Sequence, residues 1–167
     1  MVDSMNEYEE FLFYRIDNSD LLTGFVIGHL VIEHLLEKIT VNYDIKKKNR
    51  FLSFSHSKKI TFTHSLNLIP DEVAECLHAI NKIRNKFAHQ LGYNPSKNEL
   101  LHLIAQCKNS FHDMTDGLEQ LHDALENSDN LLEANEKYGV GLADLFIQVI
   151  YDLEEYEKKA QQQLLEK

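Results

Sequence analysis

The spacing of apolar residues between residues 96 and 126 constrains the fold more than any other feature of this chain. Two interleaved series recur every seven residues: Leu100, Cys107, Met114 and Leu121, and Ile104, Phe111, Leu118 and Leu125. Such a pattern marks an apolar stripe that packs against a neighbouring helix. Ser96 is placed to cap the helix, with Glu99 as its capping-box partner. We therefore predict one long helix over residues 96–126.

The rest of the chain favours the same fold class. Its 167 residues include only six glycines and two prolines, which disfavours turn-rich all-β folds. Helical spacing predicts further helices over residues 7–16, 20–41, 70–90 and 142–165. Residues 51–68 are ambiguous between a short helix and a loop, and residues 127–141 form a polar break. We expect a single all-α domain over residues 1–167, a bundle of four to five main helices.

The sequence also bears on the cellular compartment. Cys76 and Cys107 are the only cysteines, and their spacing is not that of a metal site, which suits a reducing compartment. The N-terminus has no signal-peptide pattern. The most apolar run, residues 25–39, is too short and too charged to span a bilayer. We therefore expect a cytoplasmic protein without membrane contact.

Charge is distributed unevenly along the chain. The net charge is -10, but residues 46–97 hold ten lysines and arginines against three acidic residues, a local charge of +7. The remainder carries -17. Because phosphate contacts require local positive charge, the acidic total does not exclude a nucleic-acid partner. The candidate phosphate-binding residues are Lys46, Lys47, Lys48, Arg50, Lys82 and Lys86.

A charged residue interrupts the apolar face of the predicted helix over residues 70–90. Val73, Leu77, Ile80, Phe87 and Leu91 share that face, and Arg84 falls in its middle. A guanidinium on an apolar stripe is unfavourable unless it is paired or faces a cleft. One interpretation is a structural ion pair with an acid from another helix, for which Glu33 and Glu37 are the candidates.

The residues around Arg84 suggest a second interpretation. Residues 84–89 read Arg84-Asn85-Lys86-Phe87-Ala88-His89, which resembles the RxxxxH motif of the HEPN superfamily of small all-α proteins. The wider segment, residues 68–89, looks like the mannitol operon repressor-like branch of that superfamily. The resemblance implies a HEPN-like domain with Arg84 and His89 catalytic and Asn85 supporting, in a cleft between two protomers. Some members cleave RNA and others are not catalytic.

The motif suits RNA cleavage in which the substrate's own 2′-hydroxyl attacks the phosphate and no metal is needed. Histidine serves as acid or base near neutral pH, and arginine matches phosphate geometry. Five residues separate Arg84 from His89, about 140° around an ideal helix. Convergence on one phosphate therefore requires the helix to end or unwind near Ala88, or a two-fold dimer. Alternatively, His89 only caps the C-terminus of its helix.

Other features are weaker. His29, Glu33 and Glu37 form a stripe, but no second stripe with a Glu-x-x-His pair accompanies it, so a polar interhelical stripe is favoured over a metal site. We expect no metal and no cofactor.

Three functions remain open. The first is a dimeric metal-independent endoribonuclease, such as a toxin or defence effector, acting on RNA and restrained by an antitoxin protein. The others are a non-catalytic mannitol repressor-like regulatory module and a small-ligand-binding bundle.

Overall fold

The computed structural model describes residues 5–16 and 19–166, and all of its regular elements are helical. The helices are α1 Met5–Ile16, α2 Leu21–Tyr43, α3 Lys48–Leu52, α4 His56–Ser65, α5 Asp71–His89, α6 Lys97–Ser110, α7 Gly117–Glu126, α8 Leu131–Tyr138 and α9 Leu142–Leu165, with a 3-10 turn at Ile45–Lys47. The all-α prediction is confirmed. The predicted count of four to five is wrong, because the described residues form nine α-helices, of which five have 12 or more residues.

The predicted helix over residues 96–126 is divided into α6 and α7. The chain leaves the helical conformation at Phe111 and passes through left-handed backbone at Asp113 and Asp116, with φ of 49° and 55°. The Asp113 carboxylate accepts hydrogen bonds from the backbone N–H groups of Leu118 and Glu119 at 2.8 and 3.1 Å, which satisfies two of the free donors at the start of α7. Met114, inside the break, is 60% exposed, whereas the other seven members of the heptad series are buried.

Two segments without a firm sequence assignment contain short helices. Residues 51–68 include the end of α3 and all of α4, whose Lys59, Ile60 and Thr63 are buried. The polar break at residues 127–141 contains α8, which Asn130 caps by accepting a hydrogen bond from the Glu133 N–H at 3.0 Å. Gly139 ends α8 in the left-handed region, at φ 69°. Helix α8 is therefore set by local capping at both ends, without a long apolar repeat.

The central helix pair is α2 and α9, which pack together more extensively than any other two helices. Two glycines on α2 permit the close approach: a Cβ at Gly28 would overlap the ring of Phe146, and one at Gly24 would crowd Leu142. The ring of Phe146 meets that of Phe25 edge-on, with 5.8 Å between centroids. Buried side chains continue from this pair into one cluster that reaches from α1 to α9.

Helix α5 packs against α2, α4 and α6. Near its start, Cys76 lies beside Cys107 of α6, both buried and both free thiols. Near its end, the ring of Phe87 packs on Phe25 of α2 with 5.9 Å between centroids. The RxxxxH segment is thus held against the first half of α2. No helix in the described ranges is both long and apolar enough to cross a membrane.

Candidate functional site

The helix that carries the motif has defined ends. Pro70 precedes α5 as its N-cap residue, and Asp71 and Glu72 in the first turn oppose the positive end of the helix dipole. His89 is the last helical residue, and Gln90 already has extended backbone, with φ -123° and ψ 106°. Helical geometry therefore continues through Ala88 to His89, and the chain does not unwind between Arg84 and His89.

Arg84 and His89 do not meet within the chain. Arg84 is half-buried, and its Nη1 donates a hydrogen bond to Oδ1 of Asn85 at 3.1 Å. His89 is exposed at the end of α5. Within the described ranges, no hydrogen bond or ion pair joins Arg84 to His89, and Arg84 forms no ion pair with a carboxylate. Asn85 therefore orients the guanidinium while leaving its charge uncompensated.

Beside Arg84 lies a group of polar side chains that we name the Glu33 cluster: His29 and Glu33 of α2 with His56 and Lys59 of α4. His29 follows Phe25 by one turn and Arg84 precedes Phe87 by one turn, so the packing of the two phenylalanines brings His29 towards Arg84. Burial lowers the pKa of His29, and the nearby charge of Arg84 lowers it further. The cluster is thus next to the motif.

The carboxylate of Glu33 is the centre of this cluster. Lys59 donates to Oε1, and Nδ1 of His56 donates to Oε2 at 3.2 Å. The His29 Nε2 lies 3.6 Å from the same Oε2, and the two imidazole rings stack with 3.8 Å between centroids. Burial raises the pKa of Glu33, but the hydrogen bonds from Lys59 and His56 outweigh it and the pKa is lowered. Burial also lowers the pKa of His56 to about 4, so that its ring is neutral at neutral pH.

Neither acid expected to pair with Arg84 does so. Glu33 binds Lys59 and His56 as described, and Glu37 lies 3.6 Å from Nζ of Lys48. Both acids lie on α2, and each pairs with a lysine of another helix: Glu33 with Lys59 of α4, and Glu37 with Lys48 of α3. The predicted ion pair of Arg84 with Glu33 or Glu37 is therefore absent among the described residues, because lysines of α4 and α3 pair with the two acids.

The basic segment at residues 46–50 is partly engaged. Nζ of Lys47 is 3.5 Å from Asp44, and the Arg50 guanidinium lies over the rings of Phe62 and Phe54 at 5.3 and 5.8 Å. Lys46, Lys48 and Arg50 are exposed. Lys48 reaches Glu37, which lies four residues, or about 6 Å of helix, beyond Glu33, so this segment lies further along α2 than the Glu33 cluster.

The two lysines of α5 differ in their surroundings. Both line a groove of about 400 Å³ between α5 and α6. Lys86 forms a 2.6 Å ion pair with Glu99, which also accepts a hydrogen bond from Tyr93. The ammonium of Lys86 and the Ser96 backbone N–H lower the pKa of Glu99 to about 2. Lys82 is exposed and makes no ion pair within the described ranges, so it is the freer cation of the two.

Sequence reasoning missed two members of the Glu33 cluster, His56 and Lys59. They lie three residues apart, which places them on one face of a helix, but they fall in the segment whose helical character was ambiguous. Their partners on α2 are more than 20 residues away. The capping position of Ser55, just before His56, was the available signal for a helix start.

One cavity of the structure lies away from the motif. It has a volume of about 530 Å³, and its lining includes Ile16, Asp20, Asn94, Leu100, Asn130 and Leu142. None of the predicted catalytic or phosphate-binding residues lines it. The interpretation of the chain as a small-ligand-binding bundle would place the ligand in such a cavity, since ligand cavities are mostly apolar with a few polar groups.

Comparisons of this chain with protein-family models, with curated proteins and with solved structures find no match.

Proposed function

We propose that the protein is a HEPN-type, metal-independent endoribonuclease in which Arg84 and His89 act on RNA in a cleft between two protomers. One observation carries the proposal: within the described ranges, the half-buried guanidinium of Arg84 has no carboxylate partner. An uncompensated guanidinium held by a neighbouring amide is suited to bind a phosphate group. His89 is exposed on the same helix, and its imidazole is the side chain most often used as a general acid or base.

The dimer is part of the same proposal. Since α5 is helical through His89, Arg84 and His89 of one chain point about 140° apart. A two-fold axis beside α5 would bring Arg84 of one protomer towards His89 of its partner. Lys82 would hold the RNA backbone without reading bases, and the exposed Lys46, Lys48 and Arg50 would extend the phosphate path. A toxin or defence effector of this kind would also bind a neutralising antitoxin protein.

The test uses purified protein, a fluorescently labelled single-stranded RNA and excess EDTA. We expect the wild type to cleave and the Arg84→Ala and His89→Ala variants to lose at least about a hundredfold in rate. Arg15→Ala, on α1, and His122→Ala, on α7, are matched controls that should cleave normally. Circular dichroism checks the fold of each variant. Equal cleavage by all five proteins, or none by the wild type, would overturn the proposal.

A second candidate is the non-catalytic regulatory module. The observation that favours it is that acidic residues already neutralise part of the basic region, through the pairs of Lys47 with Asp44, Lys48 with Glu37 and Lys86 with Glu99. A surface balanced in this way suits a protein partner better than a polyanion. Tight RNA-independent association with a protein partner, together with an inactive wild type, would support this candidate.

A further inference from the structure

The Glu33 cluster contains an arrangement that the nuclease chemistry does not use. Oε2 of Glu33 lies 3.2 Å from Nδ1 of His56 and 3.6 Å from Nε2 of His29, and each of the three residues offers a ligand atom within 4.8 Å of the other two. Zinc bonds to nitrogen and oxygen are about 2.0–2.2 Å long, so neighbouring ligand atoms of a tetrahedral ion are about 3.3–3.6 Å apart. The distances from Oε2 to the two nitrogens are therefore close to the ligand spacing of a metal site.

The carboxylate is already oriented for such a role. Lys59 donates to Oε1 of Glu33, whereas both histidines face Oε2. A metal ion bound to Oε2 leaves the Lys59 contact intact, and Lys59 then serves as the outer partner that fixes the ligating carboxylate. His29 and Glu33 are four residues apart on α2, which places them on one helix face, and His56 comes from the first residue of α4.

The surroundings of His29 supply a second and independent observation. The residue is 5% exposed, and its buried Nδ1 has no hydrogen-bond partner. Its Nε2, at 3.6 Å from Glu33, is beyond hydrogen-bond distance. The Nε2 atom therefore has no protein hydrogen bond that a metal ion would have to break. A metal ion between Nε2 and Oε2 would give Nε2 of His29 a partner, while Nδ1 would stay without one.

We propose that His29, Glu33 and His56 bind a zinc-class transition-metal ion, joining α2 to α4 beside Arg84. Two imidazoles and one carboxylate suit Zn²⁺ and related ions, whereas Mg²⁺ and Ca²⁺ require more oxygen ligands. Lys59 and Arg84 are positive and oppose any cation, which further excludes ions without strong affinity for imidazole. Three protein ligands leave one position for water. The proposal departs from the expectation of no metal and does not depend on the nuclease proposal.

The experiment titrates EDTA-treated, tag-free protein with ZnCl₂ by calorimetry, with MgCl₂ as a parallel titrant. The wild type should bind one Zn²⁺ per chain and no Mg²⁺, and its melting temperature should rise with zinc. Glu33→Gln and His56→Ala should each weaken zinc binding by at least about tenfold. The matched control is His122→Ala, which removes the histidine of a more exposed cluster on α7 and should change nothing. Co²⁺ substitution should give the visible absorption of a tetrahedral site.

The zinc site can also be tested without the ligand variants, in case one of them is unstable. If Glu33→Gln or His56→Ala fails to fold, the ring ¹⁵N resonances of wild-type His29 and His56 are followed instead, and both should shift on addition of Zn²⁺. Absence of zinc binding by the wild type, full retention of binding in both ligand variants, loss of binding in His122→Ala, or unshifted His29 and His56 resonances would each overturn it.

Discussion

The buried carboxylate of Asp152 on α9 accepts two hydrogen bonds from His112, one from its backbone N–H at 2.9 Å and one from its ring Nδ1 at 3.0 Å. Asp152 is 1% exposed, while the His112 ring is mostly in solvent. The pair ties the start of the turn between α6 and α7 to the central helix pair. The position at which the chain bends is therefore fixed by a residue 40 positions away.

Replacing Asp152 should destabilise the protein. Asp152→Ala removes the acceptor for both His112 groups and leaves space in a buried site, so we expect the free energy of unfolding to fall by about 1–3 kcal/mol. Urea denaturation followed by circular dichroism measures the change. Glu136→Ala, an exposed acidic residue on α8, is the control and should stay within about 0.5 kcal/mol of the wild type. Equal stability of the two variants would contradict the structural role of Asp152.

The same pair predicts a pH dependence. The hydrogen bond from His112 to Asp152 raises the pKa of His112, with the charge of Asp152 and that of Glu155 acting in the same direction and Lys159 and burial opposing them. A pKa that is higher in the folded than in the unfolded state stabilises the fold below the unfolded-state pKa, which is about 6.5 for histidine. This stabilisation is lost as the pH rises through the folded-state pKa of His112. His112→Ala should therefore lower the melting temperature more at pH 5.5 than at pH 8.5. An equal loss at both values would show that the charge of His112 does not contribute.

The division of the predicted helix shows what the sequence could not reveal. The heptad series correctly identified seven buried residues of α6, α7 and the turn between them, because burial follows apolar periodicity. The break depends on Asp113 capping α7 and on Asp152 holding His112, and both are polar contacts that a hydrophobic pattern does not record. The short α8 was missed for a similar reason, since it is defined by the Asn130 cap.

The candidate site was also predictable only in part. The anomaly of Arg84 on an apolar helix face could be identified from α5 alone, and the structure leaves this guanidinium without a carboxylate among the described residues. The neighbours of Arg84 could not be identified from the sequence, because the spacing of Glu33 and Glu37 on α2 makes either acid an equally good candidate for its partner. Which cations reach them depends on how α3 and α4 fold back on α2, and residues 51–68 have no clear period from which to infer this.

The crossing of α2 and α9 should be sensitive to a single methyl group. Gly28→Ala places a Cβ against the ring of Phe146, and overpacking of a core commonly reduces stability by about 1–3 kcal/mol. Leu30→Ala, on the exposed side of the same helix, is the control with little expected change. Thermal denaturation of the two variants makes the comparison. If Gly28→Ala were as stable as Leu30→Ala, the close approach of α2 and α9 would be wrong.

The groove between α5 and α6 gives a prediction about RNA affinity. Because Lys86 is paired with Glu99 and Lys82 is not paired among the described residues, Lys82→Ala should weaken RNA binding more than Lys86→Ala. Glu99→Gln keeps a side chain able to complete the capping box but releases Lys86, so it should strengthen binding. Filter binding of a single-stranded RNA across a salt series measures both effects, and loss of one phosphate contact should reduce the salt slope by about 0.7. Equal effects of the two lysines would argue against RNA in this groove.

The proposed sharing of the cleft can be tested by mixing two inactive proteins. If Arg84 of one chain acts with His89 of its partner, a mixed dimer of Arg84→Ala and His89→Ala chains retains one intact Arg84 and one intact His89. An equimolar mixture, unfolded and refolded together so that about half of the dimers are mixed, should regain RNA cleavage that neither variant has alone. Native mass spectrometry confirms that mixed dimers form. A mixture that contains them but remains as inactive as its components would mean that one Arg84 and one His89 do not suffice at a shared cleft.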